Sequence, residues 1–338
     1  GYGGDCVFSR YHWFHRACGT AHGQTNHRRR SSFSYASHCY LWFIVIIGFR
    51  HRRETDLDAA CVTRFRANGI HGRTRIYLFD NTREAKMILT VSGLSFAYNS
   101  HPILAGVDFN LMPGELLAVL GPNGVGKTTL LKCINAIHRP TGGSVTIEGQ
   151  DINLLSPLGI ARKIGYVAQR TEPSRVTAFD AVLMGRRPHV RWGVSKKDLE
   201  IVDSALRRLG LESLAMRYID EVSGGELQKV AIARALVQEP RLILLDEPTS
   251  SLDLKNQVEV LGIIRRVVSE HTVAAVMTMH DLNTAFRYAD KCIFLKNGKI
   301  YYAGSTQGVN ADIIETVYGL PVNLYRQDEC LMVIPQTQ

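Results

Sequence analysis

From residue 87 onward, apolar positions recur in short runs separated by glycine, proline and polar residues, which predicts strands and helices in alternation. Residues 87–91 and 94–98 predict two short strands broken at Ser92 and Gly93. A third over 103–111 ends at the Met112, Pro113, Gly114 turn. Residues 115–120 form an apolar run of buried-strand type, and 129–136 carry the pattern of a helix. A turn at 141–143 leads into strands over 144–148 and 163–168, the second ending at Gln169. Residues 173–220 change to helical patterning with basic stretches such as 184–189, and predict a helical subdomain inserted in the αβ core. A helix then opens at Ser223 and continues through Val237. Residues 242–245 are an uninterrupted apolar run of the buried parallel-strand type, and 272–279 read as another buried strand ending at His280. Between them, residues 257–270 predict a helix with Val260, Ile263, Ile264, Val267 and Val268 on one face. This recurrence of strand, helix and strand predicts a parallel sheet with its site at the carboxyl ends of the strands.

Candidate chemistry falls at those ends. Gly121, Pro122, Asn123, Gly124, Val125, Gly126, Lys127, Thr128 and Thr129 contain G-x-x-x-x-G-K-T between a strand and a helix, the P-loop that holds a nucleoside triphosphate. Its glycines let backbone N–H groups converge on phosphate oxygens, and the helix N-terminus adds positive potential. Lys127 is expected at the β- and γ-phosphates, and the Thr128 hydroxyl at Mg²⁺. Ser223, Gly224 and Gly225 open a helix and form a second candidate anion site, although Ser223 with Glu226 also reads as an ordinary capping box. Asp246 and Glu247 adjoin at the end of a buried strand, where two carboxylates are costly unless metal or water compensates. His280 ends the next buried strand and matters through this company. Tyr98 lies 23 residues before the P-loop, and either packs in the sheet or offers a face to adenine.

Charge changes the picture for one segment only. Of the net +9, residues 1–86 supply most, with 14 Lys and Arg against 6 Asp and Glu; residues 87–338 carry 26 against 25. The body is close to neutral, which removes the nucleic-acid reading of the overall charge. Seven cysteines, an odd number without a C-x-x-C pair, fit free thiols in a reducing compartment. No apolar run approaches the roughly 20 residues of a membrane-spanning helix. The longest, residues 41–47, is followed by Arg50, Arg52 and Arg53 instead of a small-residue cleavage site. Residues 1–86 lack sustained periodicity. Neither Arg28, Arg29 and Arg30 nor the group His12, His15, Cys18 and His22 has the spacing that specifies a nucleic-acid arm or a zinc site. They are expected to be a basic extension, disordered or not native, with translation starting at Met87. Intact-mass analysis of the native protein tests this; a species containing residues 1–86 refutes it.

Over roughly residues 88–338 these motifs resemble the ATP-binding cassette (ABC) family. Gly121 to Thr128 is similar to the Walker A motif and residues 242–246 to Walker B. Gln169 is similar to the Q-loop, residues 222–226 to the signature, and Ser251 with Asp253 to the D-loop. His280 is similar to the switch histidine and Tyr98 to the adenine-stacking aromatic. The signature departs from the usual L-S-G-G-Q at Val222 and Glu226. The resemblance implies an α/β fold: a P-loop NTPase (RecA-like) core with a mainly parallel sheet, an N-terminal antiparallel β subdomain, and an inserted α-helical subdomain at about 173–222. It implies an ABC ATP-binding domain over 87–338 that hydrolyses ATP with Mg²⁺. Two copies would form a head-to-tail homodimer, each ATP held between the P-loop of one and Ser223, Gly224, Gly225 and Glu226 of the other. Glu247 would be the general base, His280 would contact the γ-phosphate and Gln169 would sense it. Thr128, Gln169 and Asp246 would hold the Mg²⁺.

Within the family, residues 183–190 and the tail at 317–322 resemble those of importers of iron–siderophore, haem and vitamin B12. The implied partners are polytopic membrane permease subunits, with residues 173–190 facing their coupling helices, and through the complex an extracytoplasmic substrate-binding protein. The implied location is the cytoplasmic face of the cell membrane. The rival class is a soluble ABC ATPase acting on nucleic acid, on the ribosome or in assembly. Lys127 and Ser223 are only 96 residues apart with no heptads between them, and the chain has one cassette, which argues against the nucleic-acid and ribosome readings; the stretch at 184–189 argues against the assembly reading. No nucleic-acid partner is expected, and no fused membrane span marks an exporter half. The cargo is not written in an import motor, which never touches it.

Overall fold

The computed structural model of the protein describes residues 87–169, 175–250, 252–271, 273–327 and 330–336. The expectations placed on residues 1–86 and on Ser251 lie outside the described residues. Strands β1 (Leu89–Tyr98), β2 (His101–Leu111), β4 (Gly142–Ile147) and β5 (Gln150–Asp151) form an antiparallel sheet in the order β2-β1-β4-β5. The sequence predicts two strands broken at Ser92 and Gly93, but the chain runs through as the single strand β1. Ser92 pairs with Ser144, and Gly93 adopts φ +59 while its N–H donates to Asp108 Oδ1 at 2.7 Å. A bulge at a left-handed glycine bends the strand without ending it.

The second sheet has six strands: β3 (Leu116–Leu120), β6 (Ile164–Val167), β7 (Leu242–Asp246), β8 (Ala274–Thr278), β9 (Lys291–Lys296) and β10 (Lys299–Ser305). Their order is β10-β9-β3-β8-β7-β6, parallel throughout except for β10 at one edge. Helices α1 (Lys127–Ile134), α2 (Pro157–Lys163), α3 (Ala178–Leu183), α4 (Lys196–Arg208) and α5 (Gly224–Leu236) follow in chain order. Then come α6 (Leu254–His271), α7 (Leu282–Tyr288), α8 (Ala311–Tyr318) and a terminal hairpin of β11 (Val322–Gln327) and β12 (Cys330–Pro335).

Alternation along the central strands explains why the sheet is buried on both sides. Leu116, Ala118 and Leu120 of β3, with Ile243, Leu245, Ala275 and Met277, join a core shared with Val260 and Ile264 of α6 and Phe286 of α7. Leu117 and Val119, with Leu242, Leu244, Ala274 and Val276, join the opposite core with Leu130 and Ile134 of α1 and residues of the antiparallel sheet. Side chains two apart share a face, so an unbroken apolar run fills two layers at once. Beyond β8 the sequence reading assigned no elements. There β10 is exposed at every second position, and α8 and the hairpin pack on the first of these cores.

A third core joins α3 and α4 to α5, through Ala178, Val182, Val202 and Leu206 against Val230, Ala233 and Val237. The basic stretch expected at 184–189 is only partly a solvated patch, because Arg186 is 4% exposed. Its guanidinium donates to Asp198 Oδ1 at 2.9 Å, to Glu239 Oε2 at 2.8 Å and to the Val237 carbonyl at 2.5 Å, tying the start of α4 to the end of α5. Hydrogen bonds from Ser195, with Arg186 assisting, hold the Asp198 carboxyl down at about 2. Arg186→Leu would strand that buried carboxylate, and is expected to lower stability by about 3–5 kcal/mol in urea denaturation. An unchanged midpoint would mean that the ion pair joins nothing.

Candidate active site

Four loops at the carboxyl ends of β3, β6, β7 and β8 converge on one pocket of about 450 Å³. The loop after β3 runs into α1, whose N-cap Gly126 provides no side-chain bond and whose first turn holds no acidic residue. Its leading N–H groups are therefore available to an anion. Gly121 adopts φ +141, and a Cβ there would sit 2.5 Å from the Leu295 carbonyl; Gly126, at φ +110, would meet Ile103 and Leu104 at 3.0–3.3 Å. Both positions exclude a side chain. The Lys127 ammonium donates to the carbonyls of Gly121 at 2.8 Å and Pro122 at 3.1 Å. Burial pushes its pKa down, against the pull of Glu247 and Asp246.

Asp246 is 2% exposed. Its Oδ1 accepts from the hydroxyls of Thr128 at 3.0 Å and Thr278 at 2.8 Å. Burial and this neighbouring charge push the Tyr166 phenol up to about 12. Thr128 and Asp246 thus offer adjacent oxygens. No cluster of three or more His, Cys, Asp or Glu able to hold a metal occurs among the described residues. A Mg²⁺ site of one or two protein oxygens completed by phosphate and water fits this donor set; an all-protein metal cage does not.

Glu247 turns out of β7 at φ +48, with its N–H on Thr278 Oγ1 at 2.8 Å. Its carboxylate accepts from Gln169 Nε2 at 2.5 Å on one oxygen and bonds to His280 Nε2 on the other. Gln169, Glu247 and His280, from three different strand ends, therefore meet, and all three line the pocket with Lys127. Gln169 bonds to Glu247, with no bond to Thr128 or Asp246 among those the structure contains. Asn123, Gly124, Gly126, Thr128 and Thr129 also line the pocket, and so does Tyr98. Gly121, Pro122 and Val125 do not line it; they shape the loop from behind.

Ser223, Gly224, Gly225, Glu226 and Asp253 lie away from this pocket. Ser223 caps α5, and Glu226 accepts from the Ser223 hydroxyl at 2.7 Å and backbone N–H at 2.8 Å. These bonds hold the Glu226 carboxyl below the ordinary carboxylate range. A Cβ on Gly225 would strike the Asn256 side chain at 2.7–3.0 Å, and Asp253 accepts from the Asn256 N–H at 2.8 Å, so the two segments pack together. Sequence reasoning missed three residues. Ile103 lines the pocket beside Tyr98, Thr278 bridges Asp246 to Glu247, and Tyr318 accepts from the Gly121 N–H at 3.0 Å. Burial pushes the Tyr318 phenol up to about 12. A hydroxyl at the end of an otherwise apolar buried strand was a readable signal for Thr278. Ile103 and Tyr318 carried none.

The family profile described as "ABC transporter" matches residues 104–250. An uncharacterized ABC transporter ATP-binding protein of Methanocaldococcus jannaschii is 50% identical over 249 residues, covering 74% of this chain and 98% of that one. The chain belongs to the ABC transporter family. It is an ATP-binding, ATP-hydrolysing subunit of that family, with the P-loop NTPase fold the motifs implied. The named cargoes of other relatives diverge. A ferric enterobactin transport ATP-binding protein of Escherichia coli is 37% identical, covering 67% of this chain and 85% of its own length. A phosphonates import ATP-binding protein of Nostoc sp. is also 37% identical, covering 72% and 96%. Among solved structures, a chain of an inward-facing ABC transporter assigned to the metal-chelate type aligns with TM-score 0.65 and 32% identity, covering 75% of this chain and 98% of that one. A dimeric ATP-binding cassette bound to ADP and Pi aligns with TM-score 0.58 and 28% identity, covering 66% and 100%. Among the described residues no helix is long and apolar enough to cross a membrane.

The departure at Glu226 has a local test. A glutamine at the third helical position completes the capping box as a glutamate does. Glu226→Gln is therefore expected to leave the denaturation midpoint within about 0.5 kcal/mol, whereas Ser223→Ala should cost about 1 kcal/mol. Equal losses in both would contradict the capping role.

Proposed function

We propose that this cassette hydrolyses ATP between two copies of the chain and drives uptake of an iron chelate or vitamin B12 through membrane permease subunits. The observation that carries the hydrolytic part is the grip on Glu247, held by Gln169 and His280 at the mouth of a pocket that also contains Lys127. In this reading residues 87–338 are the ATP-binding domain and about 173–222 its helical subdomain. The P-loop N–H groups and Lys127 bind the phosphates, and the Tyr98 ring stacks on adenine. Thr128 and Asp246 hold Mg²⁺, which supplies charge neutralisation at the phosphates when bound. Gln169 would join Thr128 and Asp246 at the Mg²⁺ and sense the occupied site, exchanging its bond to Glu247.

Glu247 takes the proton of the water that attacks the γ-phosphate, and His280 donates towards the γ-phosphate oxygens. Lys127, already depressed by burial, leaves its two carbonyl partners for phosphate oxygens, and most of the gain comes from fixed charges and donors around the transferred group. Ser223, Gly224, Gly225 and Glu226 lie away from the pocket of their own chain, which is what a contribution to the partner copy's nucleotide requires. Their packing on Asn256 connects them to the segment of Asp253, and that segment is assigned to the same interface. Residues 173–190 face the coupling helices of the permease subunits, and Met184 is exposed there. Arg162 Nε of α2 donates to the Pro188 carbonyl in this stretch. An extracytoplasmic binding protein acts through the same complex at the membrane, and no nucleic acid takes part.

Two experiments check this. Glu247→Gln is expected to reduce steady-state hydrolysis by about 10³-fold while an ATP-bound dimer accumulates on size-exclusion chromatography. Full turnover, or a monomer at saturating Mg-ATP, defeats the hydrolytic and dimeric parts respectively. The ferric enterobactin relative and the metal-chelate-type structure favour the iron-chelate class, and the phosphonate relative of equal identity is its competitor. ATPase stimulation of the reconstituted complex by its binding protein loaded with ferric siderophore or cobalamin is the expected result; stimulation by a phosphonate alone would replace the cargo assignment.

A further inference from the structure

Tyr98 is 43% exposed, so its hydroxyl needs no protein partner to escape a desolvation penalty. It nevertheless meets His138 Nε2 at 2.7 Å. The His138 ring in turn lies stacked on Phe96, with centroids 5.2 Å apart and 16° between planes. Tyr98 stands nearly perpendicular to both rings, at 4.7 Å and 85° from Phe96 and at 5.5 Å and 88° from His138. Phe96 is buried and gives the cluster a fixed base. The Tyr98 ring is thereby held by edge contacts and by its hydroxyl, while the residue still lines the nucleotide pocket.

His138 does not line that pocket. It is carried by the turn that closes α1, where the N–H groups of Ile137 and His138 both donate to the Lys132 carbonyl, at 2.9 and 3.1 Å. The same helix begins at Lys127, on the phosphate side. A helix of eight residues spans about 12 Å, so one rigid element is attached to the pocket at both ends: the phosphate loop at its start and, through His138, the Tyr98 ring at its finish.

We propose that His138 is a positioning residue for the nucleotide base: its hydrogen bond to the Tyr98 hydroxyl, braced on Phe96, sets the angle of the ring on which the base stacks. This rests on the reading of Tyr98 as the base-stacking residue. A pre-set ring spares the binding step the ordering of a side chain, and the gain appears in affinity for nucleotides and not for the phosphate chain alone.

The test uses the full chain and equilibrium titration with Mg-ATP and with Mg-tripolyphosphate, which has no base. His138→Phe keeps a ring on Phe96 and removes the bond to the hydroxyl; Tyr98→Phe removes the same bond from the other side. Each is expected to weaken ATP about fivefold, the size of one ordinary hydrogen bond, and to leave tripolyphosphate unchanged. The double variant should be no weaker than either single one. Unchanged ATP affinity in His138→Phe, an equal loss for tripolyphosphate, or effects that multiply in the double variant would each overturn the proposal. Tyr98→Ala separates the underlying reading: if it binds ATP normally, base stacking itself is wrong, whereas a loss there with none in His138→Phe sinks only the role of His138.

Discussion

A single buried carboxylate organises the catalytic end of this molecule. Asp246 ends β7 at 2% exposure and has hydroxyl partners from two directions, Thr128 at the head of α1 and Thr278 at the end of β8, with its charge raising the Tyr166 phenol on β6. A charge taken out of water is tolerated only where donors surround it. The demand therefore specifies how far β6, β7 and β8 run in parallel and where the phosphate loop turns. The Thr278 oxygen is used twice, for Asp246 and for the N–H of Glu247, so the same contact aims the next side chain into the pocket.

The scaffold that holds this arrangement is rigid because its central strands are apolar on both faces. Each of β3, β7 and β8 divides its residues between the two large cores, and a register slip of one would exchange every layer. Helix α5 plays a comparable part between cores, with Ala231, Ile232 and Ala235 in one and Val230, Ala233 and Val237 in another. The helix that Ser223 caps therefore packs both on the core beside the sheet and on the core of α3 and α4.

The chain beyond β8 is attached to the site at two points. Tyr318 of α8 accepts from the first N–H of the phosphate loop, and the Asn283 amide pairs with the backbone of Val333 through bonds of 2.7 and 3.2 Å, docking the hairpin on α7. Helix α7 begins two residues after His280. The tail thus braces the loop that holds phosphate and the helix that follows the histidine beside Glu247.

Much of the fold and of the site was legible in the residues alone, for a definite reason. The phosphate loop, the two carboxylates and the strands before them are local patterns, in which spacing along the chain and spacing in space nearly coincide. The order Gln169, Asp246, Glu247, His280 at successive strand ends could be read because parallel strands bring their carboxyl ends together. The bulge in β1, the burial of Arg186 and the role of Thr278 could not be read so fully, since each depends on a partner more than ten residues away. Sequence by itself determined the phosphate loop and the polar residues at the strand ends. Only the tertiary structure decided that Gln169 and His280 grip Glu247, that Tyr318 reaches Gly121 and that His138 holds Tyr98, because a hydrogen bond between distant segments is specified by packing and leaves no periodicity in the chain.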